Sequence, residues 1–217
     1  MKKRLIVLFF LLVPIASALF YSCRCPNIER QYRVFSHKTL SLRNLDNSGR
    51  EAVESDALQL NKNAFGIRLV LEREVISTST TPPSRGKQAN SVFIQSAYAF
   101  SWNCLPPFTY SANDKIESMK IFSINDFDNQ RPANSDITDL FRVTRSFFTI
   151  ENFVANHIRY EYPADSESDF DRWIRELRID LLLMTPPTAN NKHQFEIQVA
   201  LSDGRVLKQQ TTEIELI

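Results

Sequence analysis

Residues 195–206 read FEIQVALSDGRV, with four large apolar residues on alternate positions followed by an Asp-Gly turn. A period of two places the apolar side chains on one face of a half-buried β-strand. Asp-Gly is a strong hairpin signal here, because tight hairpin turns need residues that adopt positive φ and apolar character resumes at Val206. The segment therefore predicts two adjacent antiparallel strands.

The same alternation recurs along the chain and predicts seven strands in all. They cover residues 34–45, 65–76, 92–102, 119–124, 179–183, 195–201 and 206–216. Between them, apolar segments with capping residues predict three short helices, at residues 135–141, 151–158 and 168–177.

Strands and helices do not alternate strictly, which argues against a parallel α/β sheet. We therefore expect a mainly β fold, an immunoglobulin-like antiparallel β-sandwich with short helical insertions. Residues 34–217 are long enough for one substantial core and are expected to form a single domain.

The first 22 residues have the order of a secretory signal peptide. Basic residues at positions 2–4 precede an apolar run over residues 5–19, which is shorter than a typical membrane-spanning helix. Cys23 follows the small residue Ser22 and resembles the lipidated cysteine of bacterial lipoproteins, although Phe20 and Tyr21 depart from the usual residues of that motif. We expect cleavage before Cys23, a lipid on its side chain and a tether over residues 23–33. Secretion without lipid and an uncleaved anchor are the alternatives.

A triacylated Cys23 would anchor the protein stably, since three chains bury far more CH₂ groups than the single chain that binds marginally. No acidic run of the kind that directs some lipoproteins to the cell surface follows it. We therefore expect an outer-membrane lipoprotein of the bacterial cell envelope that faces the periplasm. Loss of residues 1–22 leaves 23 basic and 25 acidic residues and no basic stripe, so nucleic acid is not an expected partner.

Two further cysteines, Cys25 and Cys104, would lie in an oxidising compartment. A disulfide between them is chemically allowed there, provided that their Cα atoms approach within about 7 Å. The alternative is a buried free thiol at Cys104, because cysteine is among the residues most often found inside proteins.

Several segments in the middle of the chain resemble a group of uncharacterised lipoproteins from Bacteroides-type Gram-negative bacteria. They are residues 95–101, 113–116, 121–128 and 131–135. The resemblance supports the expected localisation and single domain, and it implies no activity.

Several enzyme classes are excluded by the motifs that the chain lacks. Its four glycines are far apart, so no Gly-rich phosphate loop can form, and neither a Gly-x-Ser-x-Gly nor a His-Glu-x-x-His motif occurs. His37, His157 and His193 lack metal-ligand spacing and are expected to be solvated or in the core. We expect no cofactor and no enzymatic activity.

Acidic residues form one conspicuous run, in which Asp165, Glu167, Asp169 and Asp171 occupy alternate positions. Closely spaced carboxylates are calcium ligands. The alternative is that Asp169 and Asp171 stabilise the start of a helix while the other two are solvated. A glycan-directed hydrolase would need two carboxylates about 5–10 Å apart, which Asp126, Asp128, Asp165 or Asp169 could supply.

Aromatic side chains flank Pro106-Pro107 in the segment from Trp102 through Phe108 to Tyr110. A rigid loop of this kind could present rings for stacking on a sugar or peptide, or the rings could fold back onto the sheet. Together these features favour a lipid-anchored, non-enzymatic binding or assembly module whose ligand is a glycan or an envelope protein, with the hydrolase as the alternative.

Overall fold

A computed structural model describes residues 29–81, 106–144 and 147–217 of the chain. Thirteen strands lie in these ranges, numbered in chain order: β1 Gln31–Asp46, β2 Val53–Glu54, β3 Gln59–Leu60, β4 Phe65–Ser79, β5 Phe108–Ala112, β6 Ile116–Ser123, β7 Phe141–Val143, β8 Glu161–Ala164, β9 Glu176–Leu183, β10 Lys192–His193, β11 Phe195–Leu201, β12 Val206–Gln210 and β13 Ile214–Leu216. The predicted strand over residues 92–102 lies outside the described residues, as do Trp102, Cys23, Cys25 and Cys104.

Helical structure is short and lies at the three predicted places, with one further 3₁₀ turn at Lys62–Ala64 that was not predicted. Helix α1 spans Ile150–Asn156, and α2 spans Glu167–Asp169 and continues as a π-helical turn over Phe170–Ile174. The remaining predicted helix, at residues 135–141, is reduced to a 3₁₀ turn at Thr138–Leu140. Of the helices in the described ranges, none is long and apolar enough to cross a membrane.

The main sheet has seven strands and is built around the two longest, β1 and β4. Its order is β7-β9-β4-β1-β5-β8, with β2 also paired to β1. Alternate side chains of β4 are buried from Phe65 to Leu71, as the sequence pattern predicts. The β1–β4 register shifts twice, between Val34 and Phe35 and between His37 and Thr39. Such bulges bend a strand and increase its twist.

The prediction of a mainly β fold is confirmed, but an antiparallel immunoglobulin-like sandwich is not. Pairing between β1 and β5 is parallel, as is pairing between β3 and β13. The remaining strands form two three-stranded sheets, β10-β13-β3 and β12-β11-β6, and one sheet of the fold curls strongly into a half-barrel.

Strands β11 and β12 form the hairpin predicted from residues 195–206. Its turn differs from the predicted one, because among these residues only Gly204 has positive φ, at 87°. The Gly204 amide donates to the Leu201 carbonyl at 2.9 Å, and the Leu201 amide donates to the Arg205 carbonyl at 2.9 Å. This is a three-residue loop, a turn followed by a left-handed glycine, rather than a two-residue turn with two positive φ values.

Buried side chains form two separate hydrophobic clusters. The larger one, the main core, combines apolar residues of β4, β6, β9 and β11 with α1 and its neighbours. The smaller one, the second core, is formed by Phe35, Tyr110, Ala164, Phe170 and Ile174. Strand β1 reaches both clusters, and the second core lies beneath the candidate site.

Candidate functional site

A cleft of about 700 Å³ opens beside the second core, and nine of the twelve residues that line it are charged. We call it the charged cleft. Its lining residues are Arg33, Lys38, Glu72, Arg73, Glu74, Val75, Thr78, Glu167, Phe170, Asp171, Arg175 and Glu176.

The cleft forms where β9 stops pairing with β4. Their register ends at Glu72 opposite Glu176, and one further hydrogen bond joins the Arg73 amide to the Arg175 carbonyl at 2.7 Å. The segment that precedes β9 does not pair with β4; it forms α2 and its π-helical continuation instead. One wall of the cleft is therefore β4 with β1, and the other is the helical segment from Glu167 to Arg175.

Arg73 is the most buried cation of the charged cleft, with only 5% of its surface exposed. Its guanidinium lies over the rings of Phe35 and Tyr162, 5.0 Å and 5.2 Å from their centroids. It donates to the Ile174 carbonyl at 3.1 Å and to the Tyr162 hydroxyl at 3.3 Å. Burial lowers the pKa of Arg73 from its ordinary value.

Arg33 links the aromatic side chains of β5 to the helical wall. Its guanidinium lies 5.1 Å from the centre of the Phe108 ring and 5.8 Å from that of Tyr110. It also pairs with the carboxylate of Glu167. That hydrogen bond raises the pKa of Arg33 and lowers the pKa of Glu167.

Each carboxylate that lines the cleft forms a hydrogen bond or an ion pair with a neighbouring side chain. Lys38 pairs with Glu74 at 2.8 Å, and Arg175 pairs with Asp171 at 2.6 Å. The remaining two, Glu72 and Glu176, are bound by Thr39 Oγ1 and Arg178. The cleft thus offers both acceptors and donors from side chains held on two rigid elements.

Two of the residues predicted to bind a ligand through their rings lie beneath this cleft rather than on an exposed loop. Tyr110 is fully buried and stacks on Phe170, with ring centroids 4.5 Å apart. Burial raises the pKa of its hydroxyl. Phe108 is half-buried under Arg33. Both residues belong to β5, in which apolar residues occupy alternate positions from Phe108 to Ala112. The prediction of a loop rested on the preceding Pro106-Pro107.

The acidic run over residues 165–171 is divided among separate structural roles. Glu167 and Asp171 line the charged cleft, whereas Asp169 accepts from the Ser166 amide at 3.1 Å in a capping box. Within the ranges that the structure describes, this run included, no three His, Cys, Asp or Glu side chains are placed to hold a metal ion. The helix-stabilising interpretation of Asp169 agrees with this geometry.

The other carboxylates considered for hydrolysis bind local groups. Asp126 accepts from the Ala133 amide at 2.8 Å, and Asp128 accepts from the Gln130 amide and pairs with Arg131. Neither they nor Asp165 and Asp169 line the charged cleft.

A second polar cluster is centred on Asp114 and was not predicted. Its fully buried carboxylate accepts from Ser36 Oγ at 2.8 Å, from His37 Nδ1 at 2.9 Å and from Arg205. Burial alone would raise the pKa of Asp114, but these hydrogen bonds lower it. Arg205 also donates to the His37 carbonyl at 2.8 Å, so the cluster joins β1 to the turns before β6 and β12.

Burial of the histidines differs from one to the next. His37 and His193 are both fully buried, and burial lowers the pKa of each. His157 is exposed and stacks on Phe148, with ring centroids 4.0 Å apart. His37 and His193 thus lie in the interior, and His157 lies at the surface.

A family model described as a domain of unknown function, DUF5034, matches residues 37–212. These residues include every strand from β2 to β12 and most of the charged cleft. No curated protein matches the chain.

Proposed function

The chain belongs to the DUF5034 family, whose function is unknown, and we propose that it is a non-enzymatic binding module of the bacterial cell envelope. The order of the first 23 residues supports export and a lipid on Cys23. The lack of an acidic run after Cys23 supports an outer-membrane position that faces the periplasm.

A glycan is the ligand that the charged cleft suits best, and this cleft is the observation that carries the proposal. Sugar hydroxyls both donate and accept hydrogen bonds, and the cleft supplies guanidinium and ammonium donors beside carboxylate acceptors. Their attachment to a sheet and a capped helical turn fixes their geometry before the ligand arrives, which lowers the entropic cost of binding.

An envelope protein is the less favoured ligand for this site. The centres of protein–protein interfaces are depleted in charged residues and enriched in aromatic ones. Only Val75 and Phe170 are apolar among the twelve lining residues of the cleft, and Phe170 is nearly fully buried.

Binding of the full chain, purified in detergent, to an array of glycans and cell-wall fragments tests the proposal. Lys38→Gln removes one exposed donor from the cleft, whereas Lys120→Gln on β6 is its matched control. Both lysines are ion-paired on strands, with side chains 59% and 56% exposed. We expect the wild type and Lys120→Gln to bind the same glycan, and Lys38→Gln to bind it several-fold more weakly.

Absence of binding to every glycan, together with capture of an envelope protein by crosslinking, would move the function to protein assembly. Equal weakening by Lys38→Gln and Lys120→Gln would place the ligand elsewhere on the molecule. Release of reducing sugar from a bound glycan would show a hydrolase instead.

A further inference from the structure

Arg73 differs from the other cations of the charged cleft because it has no carboxylate partner among the described residues. Arg33, Lys38 and Arg175 each form an ion pair with an acidic side chain of the lining. The partners of Arg73 are a carbonyl, a hydroxyl and two aromatic faces.

A buried cation that no carboxylate contacts is costly, since removal from water is repaid only by good pairing and full hydrogen bonding. Asp114 attracts Arg73 electrostatically, but its carboxylate pairs with Arg205. A guanidinium carries five N–H donors. The Arg73 guanidinium makes two hydrogen bonds within the described ranges, and its buried Nε has no partner there. The cation–π contacts offset part of the cost but supply no acceptor.

Arg73 is one of the residues that line the charged cleft, although only 5% of its surface is exposed. A ligand would have to approach its guanidinium from this cleft. The lining carboxylates pair with other side chains, and none of them forms an ion pair with Arg73 among the described residues.

The charges around Arg73 also limit how acidic a ligand can be. Four cations and five carboxylates line the cleft. A polyanion such as nucleic acid or polyphosphate would bring many charges close to those carboxylates and be repelled. A ligand with one carboxylate among several hydroxyls would pair with Arg73 and bond to the remaining donors and acceptors.

We propose that the ligand of the charged cleft is an acidic glycan, and that Arg73 binds the carboxylate of one of its uronic acid residues. This proposal rests on the glycan-binding function proposed above and names the class of glycan. Arginine suits the role because its planar fork binds a carboxylate through two parallel hydrogen bonds.

The test compares each uronate-containing glycan of the array with its methyl ester, in which the same sugar carries no charge. We expect the full chain in detergent to bind at least one acid ten-fold or more tightly than its ester. In Arg73→Lys, which keeps the charge and loses the fork, this preference should fall to about two-fold. Arg68→Lys, on the same strand but paired with Asp180 outside the cleft, should keep it.

A second measurement avoids the risk that Arg73→Lys fails to fold. The ¹H–¹⁵N resonance of the Arg73 Nε in the wild type should shift on titration with glucuronate or galacturonate and stay in place with their methyl esters. Equal binding of acids and esters would overturn the acidic-glycan inference and leave glycan binding intact. Absence of any glycan binding would overturn both, and tetraglutamate binding without uronate binding would assign the carboxylate to a peptide.

Discussion

At the residue scale, the Asp114 cluster contains a buried histidine, His37, whose pKa is lowered chiefly by burial. His37 Nδ1 faces Asp114, while Arg205 bonds the carbonyl of the same histidine and Arg73 lies near enough to disfavour its protonation. His37 Nε2 is buried without a partner among the described residues. A proton added there would place a third positive charge beside Arg73 and Arg205 at a fully buried side chain.

We predict that the free energy of unfolding falls as the pH drops below about 6.5. Burial lowers the pKa of His37 and of His193 in the folded chain, so the unfolded chain binds more protons below the ordinary imidazole pKa. The stabilising contribution is complete above that pH and is lost below it, at up to about 1.4 kcal/mol per pH unit for each imidazole.

Urea denaturation at pH 7.5, 6.5 and 5.5 measures this slope. His37→Gln and His193→Gln should each show a shallower fall than the wild type, and the double variant the shallowest. A slope that is identical in all four proteins would contradict the prediction.

Single residues also show where the site could have been predicted and where it could not. Arg73 continues the inward-facing parity of Phe65, Ile67, Leu69 and Leu71, so a cation on the buried face of β4 is legible in the sequence. The contacts of Arg33 with Glu167 and Phe108 could not be predicted from the sequence, because they join residues more than 50 positions apart.

At the element scale, β4 needs Gly66 because β9 approaches its backbone closely. A Cβ at this position would lie 2.8 Å from the Leu181 carbonyl oxygen and 3.0 Å from Leu182 Cδ2. Real Cβ atoms do not come this close to backbone, so one strand has to shift. A glycine within a strand often marks such an approach.

Gly66→Ala is therefore expected to lower the free energy of unfolding by about 1–3 kcal/mol through overpacking. Gly49→Ala is the matched control, since its Cβ would meet only the Glu51 carbonyl oxygen at 3.8 Å. Chemical denaturation of both variants beside the wild type measures the difference. Equal stabilities for Gly66→Ala and Gly49→Ala would show that β9 can move away from β4 at no cost.

The long strands were predictable and the short ones were not, for a physical reason. Strands β4 and β11 each bury four alternate apolar side chains and β9 buries three, so their periodicity is strong. Strands β7 and β8 have three and four residues and are formed by pairing with neighbours. Parallel pairing of β1 with β5 depends on long-range topology, which local patterns do not encode.

At the scale of the whole molecule, β1 is the element that connects the parts. Its first half places Phe35 in the second core beside the charged cleft, and its second half places Leu40 in the main core. The Asp114 cluster sits at the junction and joins β1 to the β11–β12 hairpin. The charged cleft is thus packed against the second core and connected through β1 to the main core.

The last prediction follows from the proposed position in the cell and concerns the amino terminus. Cys23→Ala should abolish labelling with a radioactive or clickable fatty acid and move the protein from the membrane to the soluble fraction, because the acyl chains on Cys23 supply the membrane affinity. Cys25→Ala is the matched control, two residues away, and should keep both label and membrane association. If Cys23→Ala kept both its label and its membrane fractionation, as expected of Cys25→Ala, a lipid on Cys23 would be ruled out. Label lost while fractionation persists would instead show that an uncleaved apolar segment over residues 5–19 holds the protein at the membrane.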